Sequence, residues 1–207
     1  MPHSLSMTDA REQLRAFWAS CDLSTEGAPE ESAMWEALFR QHIPYRSKVA
    51  DLGAGTGYCA MLLARMGYSV MALDWSEKRL AQVHDKAQAV GQRRLLTQMA
   101  DVERMPINQE SFDARRVLWT LLRPQEALAE WRRVLKPGGV AIVDFHPATP
   151  CAAYDRTLLD MLPMRKVESA QPLLEMFRAS GFSRAVQADN HPSADTGENQ
   201  MVVMAWR

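Results

Sequence analysis

The chain has 207 residues, of which 24 are Lys or Arg and 25 are Asp or Glu, so its formal net charge is −1. This length predicts one compact domain, and the balanced charge gives no electrostatic argument for a nucleic-acid or membrane partner. The three cysteines, Cys21, Cys59 and Cys151, have no CxxC spacing, which argues against a zinc site or a disulfide framework. We find no signal peptide and no apolar run of membrane-spanning length, so we expect a cytoplasmic protein.

The first part of the sequence predicts two amphipathic helices. One covers residues 8–20, with Thr8 or Asp9 as its N-cap, and the other covers about 30–41. The intervening LSTEGAPEES has the composition of a loop.

From Lys48 onwards, predicted strands and helices alternate. KVADL, YSVMALD, 94–99, 113–119 and VAIVDF read as strands, whereas YCAMLLARM, the Ser76-capped SEKRLAQVHDKAQAV and 124–135 read as helices. This alternation predicts a parallel sheet with helices on both faces. After the helix AQPLLEMFRASGF, the strands SRAVQA and NQMVVMAWR are joined by too short a loop for a parallel crossover, so the sheet should end in a hairpin.

The segment DLGAGTG, Asp51–Gly57, has glycine at every second position, where an α/β sheet presents a helix N-terminus to a ligand. A dinucleotide fingerprint would require glycine at position 58, but the residue is Tyr58. Gly53 and Gly55 would let a ligand approach the backbone, because a Cβ would occupy its volume. Asp74 closes the second strand, 17 residues beyond Gly57.

Five ordered pieces of the sequence carry a resemblance to a known family. VADLGAGTG, VMALDWS, MADVERMPI, SFDARR and ALAEWRRVLKPGG together resemble the class I S-adenosylmethionine-dependent methyltransferases, over about Lys48–Phe145. The resemblance implies a Rossmann-like, doubly wound, mostly parallel seven-stranded sheet, with the last strand antiparallel and the N-terminal helices as a lid. Residues 1–207 would form a single domain, with the lid at 1–45, the cofactor-binding core at 46–146, and a substrate-side insertion and hairpin at 147–207.

The same resemblance implies S-adenosylmethionine as the cofactor and assigns roles along the core. Asp51 would orient the methionine ammonium through water, and Asp74 would bind the ribose. Trp75 would lie against adenine, while Asp101 and the amide of Val102 would read the edge of the base. The glycine turn would contribute Gly53, Ala54, Gly55 and Gly57.

Each of these roles has a structural alternative. Asp51 could cap the glycine turn, and Asp74 could cap the following helix in competition with Ser76. Trp75 could be a surface aromatic, and Asp101 could be an ordinary turn aspartate.

The sequence is less specific about the residues that bind the acceptor. Arg116 could hold a carboxylate or end a solvated strand, and Arg115 with Arg116 interrupts the fourth strand, which we expect to be short. Trp119 and Tyr154 are further candidate substrate contacts. His146, directly after VAIVDF, could be a general base or a loop-start histidine.

We therefore expect in-line methyl transfer to a small-molecule acceptor, without a metal, a nucleic acid or a membrane as partner. A homodimer is compatible with the sequence. Two other hypotheses remain open at this point. The chain could transfer or cyclise the aminocarboxypropyl arm of the cofactor, or it could be a non-catalytic cofactor-binding module.

Overall fold

The computed structural model describes residues 5–20, 29–109, 112–115, 121–145, 156–188, 191–192 and 199–207. Within these ranges, helices and strands alternate through most of the chain. The helices are α1 (Met7–Ser20), α2 (Pro29–His42), α3 (Tyr58–Arg65), α4 (Glu77–Ala89), α5 (Pro124–Val134), α6 (Arg156–Asp160) and α7 (Ala170–Ala179), with a 3₁₀ helix at Pro163–Lys166. The strands are β1 (Lys48–Leu52), β2 (Ser69–Asp74), β3 (Leu95–Met99), β4 (Asp113–Arg115), β5 (Val140–Phe145), β6 (Arg184–Gln187), β7 (His191–Pro192) and β8 (Asn199–Trp206).

The strands form one sheet in the order β3-β2-β1-β4-β5-β8-β6, with the two-residue β7 paired to β8. β1 to β5 are parallel to one another, whereas β8 runs antiparallel to β5, β6 and β7. The predicted α/β class is confirmed. The prediction of seven strands is confirmed only in part, because the described sheet has eight and its antiparallel part includes β7.

Helices cover both faces of the sheet because the strands are apolar on both sides. On one face, α5 and α7 bury residues such as Trp131 and Phe177. On the other, α2, α3 and α4 bury residues such as Trp35, Leu63 and Val83. All five of these side chains are at most 1% exposed, so each face is a closed core layer.

A third, smaller apolar cluster attaches α1 to the domain. Ala10 and Leu14 of α1 pack with Leu122, Leu158 and Leu162, which lie before α5, in α6 and just after α6. The helix therefore lies over the part of the sheet from which α5 and α6 depart.

The start of α1 differs from the sequence prediction, whereas the predicted length of β4 can be compared only in part. α1 begins at Met7 because Ser6 acts as its cap, with Oγ accepting from the Asp9 N–H at 3.1 Å, whereas Thr8 or Asp9 was predicted. β4 is described over only three residues, Asp113–Arg115, and the rest of the predicted strand lies outside the described residues. Among the helices of the described part, none is long and apolar enough to cross a membrane.

Candidate active site

The carboxyl ends of β1, β2 and β3 meet at one edge of the sheet. Leu52 of β1 is in register with Leu73 of β2, and Asp74 of β2 with Met99 of β3. The segments that follow these strands consequently lie side by side. Ligands of open α/β sheets bind at this edge, where the connections diverge.

The glycine turn is held against the end of β2 by its own backbone. Gly53, Gly55 and Gly57 have φ values of 65°, 54° and 87°, in the left-handed region that favours glycine. The N–H of Ala54 donates to the carbonyl of Leu73 at 2.9 Å. The segment DLGAGTG can form this turn because glycine, which has no Cβ, occupies each of the three positions with positive φ.

The structure also gives Gly55 and Gly57 a packing reason to be glycine. A Cβ on Gly57 would lie 2.8 Å from Cγ2 of Val83, so its absence lets α4 approach the turn. A Cβ on Gly55 would lie 3.3 Å from Nη1 of Arg79. This guanidinium is the protein group nearest to such a Cβ, and the expectation that the Cβ would also occupy ligand volume stays a prediction.

Two buried carboxylates flank the turn. Asp51 is 1% exposed at the end of β1, and Asp74 is 6% exposed at the end of β2. Oδ2 of Asp74 accepts from the Gly55 N–H at 2.9 Å, and Oδ1 accepts from the Ser76 N–H at 2.8 Å. Ser76 is itself the N-cap of α4, so Asp74 does not fill that position. Each carboxylate oxygen has a second acceptor site, which leaves Asp74 able to bind a hydroxyl without releasing the turn.

A pocket of about 390 Å³ opens beside these residues. Its wall combines an indole, methionines, two guanidinium groups and a carboxylate, contributed by Arg15, Trp75, Met99, Ala100, Asp101, Arg104, Met105 and Pro106. The guanidinium of Arg15 lies 5.7 Å from the centre of the Trp75 ring. The volume is in the range of small-molecule sites, and the mixture of flat apolar surface and carboxylate suits a purine with an amino group.

Asp101 is engaged by the N-terminal helix. Its Oδ1 accepts from the Glu103 N–H at 3.0 Å, and its Oδ2 forms an ion pair with Arg11 of α1. Arg15 lies 3.9 Å from the same oxygen. Asp101 thus forms the turn of the structural alternative and also lines the pocket, while its contact with the base stays a prediction.

α5 holds the rest of this segment in place. The indole N–H of Trp131 donates to the carbonyl of Val102 at 2.9 Å, and Glu130 accepts from the Met105 N–H at 2.8 Å. A side-chain hydrogen bond from Arg133 lowers the pKa of Glu130, and the Met105 N–H acts in the same direction against the opposing effect of burial. The segment after β3 is therefore fixed from the side opposite α1.

Not every predicted site residue can be placed. The structure brings Asp51, the glycine turn, Asp74, Trp75, Asp101 and Val102 to one edge of the sheet. His146, Arg116, Trp119 and Tyr154 lie outside the described residues, so their roles stay predictions. Among the residues described, no group of three or more His, Cys, Asp or Glu side chains could hold a metal ion.

Sequence reasoning missed several charged residues that line or support this edge, among them Arg104 of the pocket wall. Arg11 and Arg15 are one helical turn apart on α1, a spacing that places them on one face. Arg79 is only 8% exposed and donates from Nε to the carbonyl of Trp18 at 2.7 Å. Glu103 supports the segment after β3. Only the spacing of Arg11 and Arg15 is visible in the sequence, and it does not name their partners.

Comparison with known proteins identifies the family. A methyltransferase domain model matches residues 50–143. Over 186 residues, the chain is 34% identical to the ubiquinone/menaquinone biosynthesis C-methyltransferase UbiE of Bordetella avium, covering 81% of this chain and 68% of that protein. The chain belongs to the class I S-adenosylmethionine-dependent methyltransferases. The predicted resemblance is confirmed, and S-adenosylmethionine is the cofactor of this methyltransferase family.

The chain spans less than half the length of two other relatives that it matches. The match spans 40% of a demethylmenaquinone methyltransferase from Clavibacter sepedonicus, at 35% identity over 46% of this chain. It spans 47% of another from Paenarthrobacter aurescens, at 36% identity over 56% of this chain.

Solved structures show how widely the fold of this methyltransferase occurs. The [4+2]-cyclase SpnF superposes with a TM-score of 0.68 at 20% identity, covering 91% of this chain and 84% of that one. Phosphoethanolamine N-methyltransferase 2 of Haemonchus contortus, in complex with S-adenosyl-L-methionine, superposes with a TM-score of 0.65 at 14% identity, covering 99% and 57%. At such identities the likeness concerns the fold alone.

Proposed function

We propose that this chain transfers the methyl group of S-adenosylmethionine to a small-molecule acceptor. The observation that carries the proposal is the Asp74 carboxylate, which accepts from the backbone N–H groups of Gly55 and Ser76 and directly precedes Trp75 of the wall of the 390 Å³ pocket. The framework is the path of seven strands without β7, and α1 with α2 forms the lid. The lid, core and substrate-side divisions at 1–45, 46–146 and 147–207 belong to the same proposal.

In this proposal, each described residue of the site contacts a different part of the cofactor. Asp74 accepts hydrogen bonds from the ribose hydroxyls, while the glycine turn lies along the amino acid part. Asp51, buried at the end of β1, orients the ammonium through water. Trp75 packs against adenine, and Asp101 with the amide of Val102 binds the polar edge of the base.

For this reaction, the protein must align the acceptor with the methyl group more than it must supply a catalytic side chain. The cofactor supplies a methyl group on a positively charged sulfur, which is already an activated leaving group. The chain must hold the acceptor in line with that methyl and keep water out, which accounts for large rate effects. A general base is needed only where the acceptor loses a proton, and His146 is our candidate for that role.

For the acceptor we propose the reduced ring of a quinone with an apolar substituent. This proposal is supported by the names of the relatives in the comparison, which act in ubiquinone and menaquinone biosynthesis. It is also supported by the apolar cluster around α1. In that cluster Leu122 follows the segment that carries Arg116 and Trp119, and Leu158 follows the segment that carries Tyr154.

The test is turnover with identified products. The purified chain is incubated with S-adenosylmethionine and a short-chain demethylmenaquinol, and the products are weighed by mass spectrometry. We expect a methylated acceptor and an equal amount of S-adenosylhomocysteine. The oxidised demethylmenaquinone is the matched control, because its electron-poor ring is a weak nucleophile and should not be methylated.

The other outcomes separate the competing hypotheses. Methylthioadenosine in place of S-adenosylhomocysteine would support transfer or cyclisation of the aminocarboxypropyl arm. Binding of S-adenosylhomocysteine without turnover, across phenol, amine and thiol acceptors as well, would support a non-catalytic module. Absence of any binding of either cofactor form in calorimetry would sink the proposal.

A further inference from the structure

One arginine of the N-terminal helix joins two carboxylates of the segment after β3. Arg11 Nη1 donates to Oδ2 of Asp101, and Arg11 Nη2 donates to Oε2 of Glu103, 90 and 92 residues away in the sequence. The side chains of Arg11, Asp101 and Glu103 are 28%, 14% and 8% exposed. An ion pair so little exposed is less screened by solvent and salt than a surface pair. We call these three residues the Arg11 bridge.

The Arg11 bridge extends to the start of α5. The second oxygen of Glu103, Oε1, accepts from the backbone N–H groups of Leu122 and Arg123, each at 3.0 Å. These N–H groups lie at the helix start, where backbone donors lack partners inside the helix. Two backbone N–H groups therefore hold Glu103 in the position at which Arg11 binds it.

The same contacts fix the carboxylate of Asp101. One of its oxygens accepts from the Glu103 N–H at 3.0 Å, and the other faces Arg11. With both oxygens held, the carboxylate cannot rotate about its last bond without breaking a contact. The neighbouring pocket of about 390 Å³ is present while the Arg11 bridge is formed, so adenine can enter without displacing Arg11.

A carboxylate held in one orientation discriminates between an amino group and a carbonyl on a purine, whereas a carboxylate that rotates freely does not. An amino group at the edge of a purine donates to it, whereas a carbonyl at the same position meets a negative charge that cannot turn away. Sites built around fixed polar groups reject the wrong partner because those groups are left unpaired. Arg11 itself need not touch the base for this effect.

We propose that Arg11 is a positioning residue for adenine recognition, which it secures by locking the orientation of Asp101 through the Arg11 bridge. This rests on the proposed function, in which Asp101 faces the amino group of adenine. Arg11 contacts neither cofactor nor acceptor. Its effect is therefore expected in the selectivity for the base more than in affinity alone.

The test compares two ligands that differ only at that edge. Dissociation constants for S-adenosylhomocysteine and for S-inosylhomocysteine, which has a carbonyl in place of the amino group and a proton on N1, are measured by calorimetry for the parent chain and each variant, and the change in their ratio reports on Asp101. We expect the parent chain to bind S-adenosylhomocysteine about 10–100-fold more tightly than S-inosylhomocysteine. A buried polar group that is left without a matching partner weakens binding by about this factor. Arg11→Leu should reduce this preference to about threefold or less, because the carboxylate is then held mainly at Oδ1, with Arg15 3.9 Å from Oδ2, and can turn away from the carbonyl.

Two further variants keep the test decisive. Arg11→Lys retains the charge but reaches one carboxylate at a time, so an intermediate preference is expected even if Arg11→Leu folds poorly. Arg40→Leu removes an exposed arginine of α2, paired with Glu36 at 3.3 Å, and should leave the preference unchanged.

The failures are distinguishable. If Arg11→Leu binds both ligands more weakly by the same factor, Arg11 only attaches α1 and the inference is overturned. A parent chain that binds both ligands equally well overturns it too, because Asp101 then reads no amino group. If the parent chain binds neither ligand, the proposed function itself fails.

Discussion

Replacing Asp74 should damage the free protein as well as cofactor binding, because its carboxylate already serves the backbone. The Gly55 N–H donates to it at 2.9 Å and the Ser76 N–H at 2.8 Å, and the side chain is 6% exposed. A hydrogen bond to a charged group contributes about 1.5–3 kcal/mol. Asp74→Ala leaves both N–H groups without this acceptor, so we expect about 3 kcal/mol less stability, or a melting midpoint lower by about 6–12 °C.

Asp74→Asn separates the two functions of the side chain. Its amide oxygen can still accept from one of the two N–H groups, so about half of the stability loss is expected. Both variants lack the charged acceptor for the ribose hydroxyls, and each should bind S-adenosylhomocysteine about 5–150-fold more weakly than the parent chain. Asp85→Ala, at an exposed position of α4, is the matched control and should change stability by less than about 0.5 kcal/mol.

The assay is thermal melting of each variant with and without S-adenosylhomocysteine, since a bound ligand raises the midpoint by mass action. An apo midpoint of Asp74→Ala equal to that of the parent would show that the two backbone contacts contribute nothing. A ligand-induced rise equal to that of the parent would remove Asp74 from cofactor recognition. The two results are independent, so each part of the reasoning can fail alone.

Gly57→Ala should lower the free energy of unfolding in urea by about 2–4 kcal/mol, through its φ of 87° and a Cβ placed 2.8 Å from Val83. Gly91→Ala, with a φ of 65° and nothing within 4 Å, tests the backbone strain alone, and an equal loss in both variants would contradict the packing argument. Glu130 has a lowered pKa, so the stability from its contacts with Arg133 and Met105 is present above the unfolded pKa near 4.5 and is lost as the pH falls through the folded value. In Glu130→Gln, the free energy of unfolding should therefore fall less steeply than in the parent chain between about pH 5 and 3. The same fall in both proteins, measured by urea denaturation at each pH, would count against this role.

Local signals in the sequence predict most of the fold and one edge of the site. The alternation of apolar strands and amphipathic helices depends on neighbours a few residues apart, and it gives the strands up to β5 and the cap at Ser76. The glycine turn is predictable for the same reason, because each of its three left-handed backbone positions favours glycine and is occupied by glycine in the sequence. Asp74 then follows from its position at the end of the next strand.

The contacts that complete the site depend on residues far apart in the chain. Arg11 meets Asp101 across 90 residues, and the indole of Trp131 meets the carbonyl of Val102 across 29. Neither contact has a sequence pattern, since an arginine on a helix face is usually a solvated charge. The helix start at Ser6 was also missed, although Ser6 and Asp9 have the three-residue spacing of a capping pair.

The glycine turn shows why such a sequence predicts a cofactor better than an acceptor. At Gly57 the absence of a Cβ serves the packing of α4, and at Gly55 the nearest group is Arg79 of the same helix. The motif therefore records the geometry of the fold itself, which recurs in a structure as different in its named reaction as the [4+2]-cyclase SpnF. In our proposal the acceptor is selected instead by α1 and by the segments that follow β4 and β5 in the sequence. Because in-line methyl transfer requires position before any particular side chain, those segments can vary without leaving a motif, and the products of the reaction must identify the acceptor.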